Sequence, residues 1–182
     1  IVSNYNEPDL DCNYKKMFEN ENIIIVSKPA NLPITSNHRF FRQNMTALLR
    51  ADENLPEINP IHRIDRETSG LLIYLKKRFD SPKTLRKDPR LIMIDKYYLA
   101  IVRGEISQKI FTVNIPLTES NAQPIGYKVE AAEKGRGKEA STEFYNLGIA
   151  NGYTVLLAKL NSGRKHQIRV HCSLLGFPIV GD

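Results

Sequence analysis

The chain has 182 residues, 41% of them hydrophobic, with 10 Gly and 10 Pro, a composition that excludes collagenous, low-complexity and disordered classes. Two cysteines, Cys12 and Cys172, are too few for a disulfide scaffold and lack zinc-like spacing, which suits a reducing compartment. The formal charge of +6 is local, since residues 61–100 carry 10 basic and 5 acidic side chains whereas residues 1–60 carry 6 and 8. Such a concentration fits a polyanion-binding face or a solvated helix face near residues 76–90. At this length about 70% of the unfolded chain's surface can be buried, enough for one domain, or one and a fragment. The longest apolar runs, 23–26 and 71–75, fall far short of the ~20 residues that span a bilayer. The first residues carry no basic n-region, so the expectation is a soluble, cytoplasmic chain.

Residues 1–20 are polar with little periodicity and read as an extended arm or lead-in. Residues 21–29 form a β-branched run stopped by Pro29, a buried strand. Thr46 is placed to cap a short helix through Arg50, and Pro56 and Pro60 mark a loop. Residues 61–64 read as a short strand into Asp65, and 69–77 as a second apolar strand. Residues 80–94 suit an amphipathic helix interrupted at Pro89. Residues 96–102 and 111–115 are strand-like, and 118–138 is a long loop or hairpin excursion. Residues 139–149 and 153–160, joined by Asn151-Gly152, predict an antiparallel hairpin. Residues 166–175 predict a helix ended by Gly176 and Pro178. Many antiparallel strands with few helices make the fold α+β.

Two segments concentrate ionic side chains between apolar elements. The first, His62-Arg-Ile-Asp-Arg-Glu-Thr-Ser-Gly70, must line a cleft or the surface. Arg63 and Arg66 favour the charged form of Asp65, which suits a nucleophile or base; a turn with surface ion pairs is the bland alternative. In the second, Ser162-Gly-Arg-Lys-His-Gln-Ile-Arg-Val-His171, Ile168, Cys172 and Leu175 predict the buried stripe of a helix. Arg169 then lies beside that face, either reaching a carboxylate, with Asp65 as the candidate, or snorkelling on the surface. His166 and His171 are about 140° apart around a helix, poor for a shared metal, and read as core-edge or RNA-facing residues. Gly135-Arg-Gly137-Lys-Glu-Ala140 fits a dinucleotide pattern but precedes a strand rather than a helix. The triplet around Asp65 lacks the companions of a kinase catalytic loop, and Ser69 lacks the elbow of a serine hydrolase.

In order along the chain, Ile24-Ile-Val-Ser-Lys-Pro29, the segment 62–70, Lys96-Tyr-Tyr-Leu-Ala-Ile-Val-Arg-Gly104, Gly163-Arg-Lys-His-Gln-Ile-Arg-Val-His171 and Gly176-Phe-Pro-Ile-Val-Gly-Asp182 resemble the RluA family of RNA pseudouridine synthases. The resemblance covers residues 21–182. It implies a central, mostly antiparallel mixed sheet with flanking helices and a cleft across it, and an isomerase that needs no metal and no cofactor. By the same resemblance Asp65 is the catalytic carboxylate, Tyr98 lies against the uracil ring, Arg169 pairs with Asp65, and Arg63 occupies the space of the flipped base. His62, Arg164, Lys165 and His166 are the further RNA-binding candidates, the partner being ribosomal or transfer RNA, and the enzyme a monomer. A catalytically silent RNA-binding relative is the alternative. Asn31 stands where the family has a glycine, and the family continues past the Gly181-Asp182 at which this sequence stops, so the catalytic domain is expected to lack its C-terminal end.

Overall fold

In the computed structural model, which describes residues 7–36, 39–76, 94–122, 126–133 and 135–182, the apolar run after Asn22 forms a strand whose side chains alternate strictly. Strand β1 (Lys15–Glu19) pairs antiparallel with β2 (Ile23–Lys28), and β2 with β4 (Gly70–Leu75), whose other edge carries the two-residue β3 (Asn59–Pro60). The order is β1-β2-β4-β3. The pleat sends Ile24, Val26 and Lys28 to one face and sets Ile24 opposite Tyr74 and Val26 opposite Leu72. Ile24, Val26, Leu72 and Tyr74 meet Leu32, Ile34, Met45, Leu49 and Ile58 in a sealed core, each large apolar side chain contributing about 1.5–3 kcal/mol.

Several expectations change in this unit, which spans residues 1–93. Within the segment expected to be an arm or lead-in, Lys15–Glu19 form β1. All five residues of β1 are exposed, so it is held by backbone pairing and leaves no hydrophobic pattern. Ahead of it the Glu7 carboxylate accepts backbone N–H groups of Phe41, Arg42 and Gln43 at 2.8–2.9 Å, bonds that hold its carboxyl below the usual range. Helix α1 (Met45–Asp52) is capped by Asn44, whose side chain accepts from the Ala47 N–H at 2.9 Å. Thr46 lies inside the helix, buried, and donates to the Ile34 carbonyl at 2.6 Å. Residues 61–64 are not a strand; the ladder ends at Pro60, followed by one bond from the Ile61 N–H to the Ile73 carbonyl. Asn31 adopts φ 64°, the left-handed conformation a glycine supplies freely and Asn tolerates. The helix expected over 80–94 falls almost wholly outside the described residues.

The second unit, residues 94–182, holds β5 (Lys96–Arg103), β6 (Ile110–Asn114), β9 (Ser141–Ala150) and β10 (Tyr153–Leu160) in the order β5-β10-β9-β6, all antiparallel. The expected hairpin turn is present, with Asn151 and Gly152 at φ 52° and 77°, the signs a two-residue type I′ connection needs. β7 (Leu117–Ala122) and β8 (Gly126–Ala131) form a second antiparallel pair. Gly137 (φ 81°) closes a turn behind it, where a Cβ would stand 2.8 Å from the Leu117 carbonyl oxygen; this backbone requirement accounts for the second glycine of the dinucleotide-like pattern.

Helix α2 (Gln167–Leu174) packs on this sheet. Its Cys172 joins Val102, Val113, Phe144, Leu156 and Ala158 in the core, and burial pushes the Cys172 thiol up to about 12. Phe111 stacks on Phe144 with ring centroids 5.1 Å apart. The buried positions of the helix are Gln167, His171 and Cys172, while Leu175 is exposed. The apolar stripe expected at Ile168, Cys172 and Leu175 is therefore rotated toward polar residues, for a reason that lies in their hydrogen bonds.

Candidate active site

Asp65 sits in the loop between β3 and β4, half-buried, with its backbone carbonyl accepting from the Thr68 N–H at 3.2 Å. Arg63 is exposed beside it. Arg66 turns to Glu67, Nη2 to Oε1 2.9 Å, so one of the two cations expected to attend Asp65 has a carboxylate neighbour of its own. The ring of His62 has a structural task, since its Nε2 accepts the Ile73 N–H at 3.2 Å and replaces a carbonyl where the β3–β4 ladder has ended.

What anchors the loop is a residue the sequence marks only as the end of a strand. Lys28 is 1% exposed, at the position where β2's alternation delivers a side chain to the core. Its ammonium donates to the carbonyls of Pro29, Leu32 and Arg66 at 2.7, 2.8 and 2.9 Å. All three N–H groups are used. Burial pushes the ammonium down to about 8, against the pull of the Glu67 and Asp65 carboxylates. The third bond ties the strand to the residue following Asp65, so the loop's backbone is pinned from beneath. A lysine continuing the buried phase of an apolar strand was the available signal.

In the second unit Tyr98 occupies β5 opposite Ala158 and packs, half-buried, against the core. Its neighbour Tyr97 points the other way, 50% exposed, with the Lys159 ammonium 5.8 Å from its ring centroid. Strand alternation therefore distinguishes the two tyrosines, as expected.

The start of α2 is set by a polar chain whose inner members, Thr142, Gln167 and His171, are buried. His171 Nε2 lies 3.1 Å from the Ile115 carbonyl, which can only accept, so Nε2 carries the ring proton. Nδ1 then accepts the Thr142 hydroxyl at 2.9 Å, and that oxygen accepts from Gln167 Nε2 at 2.8 Å. Gln167 Oε1 accepts from the Ser162 hydroxyl at 2.8 Å and the Arg164 N–H at 3.0 Å. Each donor has an acceptor along the chain, the condition under which buried polar groups cease to be costly. Burial lowers the pKa of His171, opposed by its bond to Ile115. His171 thus belongs to the interior, one of the two readings the sequence left open.

Arg164 and Lys165 are exposed, and Arg164 Nε donates to the Glu139 carbonyl at 2.9 Å. Arg169 binds Asp182 through two atoms, Nε to Oδ2 at 2.8 Å and Nη2 to Oδ1 at 2.5 Å, while its Nη1 lies 2.8 Å from His166 Nδ1. Asp182 is a partner of Arg169 that the sequence pattern does not signal. With Lys128 and Glu130 of β8, these three residues line a cleft of about 380 Å³ between β8 and α2. Among the described residues no three His, Cys, Asp or Glu side chains converge as a metal site requires, and no helix is long and apolar enough to cross a membrane.

Comparison with known proteins places these segments in a context. The profile of the RNA pseudouridylate synthase family matches residues 22–174. Human pseudouridylate synthase RPUSD2 is 33% identical over 165 residues, 90% of this chain and 29% of that protein. Ribosomal large subunit pseudouridine synthase D of Nitrosomonas europaea is 33% identical over 175 residues, 92% of this chain and 48% of that protein. The chain thus spans about half or less of these relatives. Among solved structures, human RNA pseudouridylate synthase domain containing 1 superposes with a TM-score of 0.75 at 24% identity, covering 97% of this chain and 71% of that one, which establishes the shared α+β fold.

Proposed function

Because the chain belongs to the RNA pseudouridylate synthase family, we propose that it converts specific uridines in structured RNA, ribosomal or transfer, into pseudouridine. The match over residues 22–174 carries this reading, since it takes in whole the two charge-dense segments 62–70 and 163–171. Asp65 is the catalytic carboxylate, Tyr98 the platform for the uracil ring, Arg169 the cation that accompanies Asp65, and Arg63 the side chain that fills the space the base vacates. Arg164 and Lys165 contribute phosphate contacts. The enzyme works as a cytoplasmic monomer without a cofactor or metal.

The reaction is an isomerisation. The bond from C1′ to N1 breaks, a bond from C1′ to C5 forms, N1 gains a proton, and the hydrogen on C5 leaves to solvent. A uridine in folded RNA must leave its stack before C1′ can be reached, at a cost of a few kcal/mol. An arginine in the vacancy offsets part of that, and stacking on an aromatic ring returns about 1–3 kcal/mol. A glycosidase needs two carboxylates because water replaces the leaving group. Here the detached base is itself the incoming group, so one carboxylate suffices. The pinned backbone at Arg66 serves this role, because a carboxylate that need not reorganise spends less of its interaction energy on being ordered.

The test is tritium release from RNA labelled with [5-³H]uridine, run beside a binding measurement. Release from ribosomal or transfer RNA, with pseudouridine found in the digested product, is the expected result. Tight RNA binding without release from any cellular RNA would make the chain a silent binder that uses the same basic surface.

A further inference from the structure

His166, which precedes α2, has φ 53° and ψ 21°, and its side chain makes no capping bond to the helix. A left-handed backbone is uncommon for residues other than glycine. Here the imidazole bonds a side chain instead of capping the helix. The imidazole faces Arg169, Nδ1 to Nη1 2.8 Å. A guanidinium has five N–H groups and no lone pair, so it must donate, Nδ1 must accept, and the ring proton belongs on Nε2. On the other side the Asp182 carboxylate takes Nε and Nη2 at 2.8 and 2.5 Å, the side-on two-bond geometry that fixes both direction and rotation of a guanidinium. Asp182 is itself placed by its N–H bond to the Ile179 carbonyl at 3.2 Å, and Ile179 bridges to Val102 of β5. The guanidinium is thus gripped by a carboxylate referenced to the sheet and by an imidazole referenced to the start of the helix.

We infer that His166 is a positioning residue: its unprotonated Nδ1, opposite Asp182, fixes the plane of the Arg169 guanidinium in the cleft between β8 and α2. It does so in place of the RNA contact that its charge-dense neighbourhood suggests. The inference rests on the reading of Arg169 as the cation that accompanies the catalytic carboxylate. The left-handed turn is what brings the ring, three residues before Arg169, over the guanidinium.

Three substitutions separate the ring from the backbone. Asn carries an acceptor oxygen close to the position of Nδ1 and tolerates a left-handed backbone. Gly accepts that backbone freely but has no acceptor, and Ala has neither. With tritium release measured at saturating and limiting RNA, H166G and H166A should lower kcat by about 10- to 100-fold, with KM little changed, the range a small misplacement of a reacting group produces. H166N should restore most of that loss. In an R169A background the same substitutions should cost nothing further. ¹⁵N NMR of the wild-type imidazole should show the Nε2-protonated tautomer, a readout that does not depend on turnover. Wild-type kcat in a folded H166G variant, a rise in KM alone, or an Nδ1-protonated ring would overturn the inference. Wild-type turnover by R169A would instead remove the reading of Arg169 on which it rests, and the inference with it.

Discussion

Replacing Lys28 by methionine exchanges a buried cation for an apolar chain of similar length and leaves the carbonyls of Pro29, Leu32 and Arg66 without their shared donor. Two opposing effects follow. Losing a donor exposes each buried acceptor to a penalty of about 1–3 kcal/mol, whereas removing the charge relieves the cost of burying it. That cost is set by the displacement of the ammonium from 10.5 to about 8, worth about 3 kcal/mol at 1.36 kcal/mol per unit. At neutral pH the lost bonds dominate, and K28M should be destabilised by roughly 1–4 kcal/mol. Between pH 8 and 10.5 the unfolded chain holds a proton that the folded chain has released, so wild-type stability gains about 3 kcal/mol as pH rises through that window. Below pH 8 this gain is absent. The methionine variant has no such group, so the gap between the two proteins should widen with pH in favour of wild type. Urea titrations followed by far-UV circular dichroism at several pH values from 7 to 10.5 measure it, read on the transition of the unit containing residues 1–93. Parallel pH profiles for the two proteins would refute the buried, carbonyl-caged ammonium.

Because burial lowers the pKa of His171 from 6.5, its contribution to stability is complete above pH 6.5 and declines as acid protonates the unfolded chain first. Wild type should lose stability from pH 6.5 downward more steeply than H171Q, as urea titration across pH 4–7 would register. Gly104 has φ 101°, and an added Cβ would lie 2.7 Å from the Phe177 ring. G104A should therefore destabilise the second unit by about 1–3 kcal/mol, visible as a lower thermal midpoint. RNA affinity should fall with salt at about −0.7 in log–log slope per phosphate contact on single strands. Removing Arg164 should shrink that slope by about one contact, and an unchanged slope would take Arg164 out of the interface.

The parts of the fold legible in the sequence are those where burial alternates. The strands at 23–28, 70–75, 96–103 and 153–160 stand out as short apolar, β-branched or aromatic runs that the pleat then splits between two faces, and Asn151-Gly152 specifies its turn by backbone preference alone. β1 escapes because an edge strand paired through its backbone needs no apolar face, and its exposed Lys16 and Glu19 look like loop residues. Asn44 and Thr46 are both good capping residues, and what decides between them is the bond of the Thr46 hydroxyl to the Ile34 carbonyl, which the sequence does not show. Around the site, the charge-dense segments drew attention to Asp65 and Arg169, but not to what holds their surroundings. Lys28, Gln167 and His171 are polar side chains directed into the core, and their satisfaction depends on carbonyls and hydroxyls brought near by the fold. Periodicity treats them as errors in a pattern, and Asp182 is invisible to it because its partner lies 13 residues away on a helix.

The most direct test of the central claim is Asp65→Asn. The amide has nearly the same shape, and the Lys28 bond to the Arg66 carbonyl does not involve the carboxylate, so the loop should keep its place. Loss of one negative charge from a basic surface should leave RNA affinity unchanged or slightly tighter. An amide can neither act as the nucleophile nor accept the proton as a carboxylate does, so tritium release from [5-³H]uridine-labelled RNA should fall to background in a protein that still folds and binds. An Asn variant that binds RNA normally and releases tritium at the wild-type rate would show that Asp65 is not the catalyst.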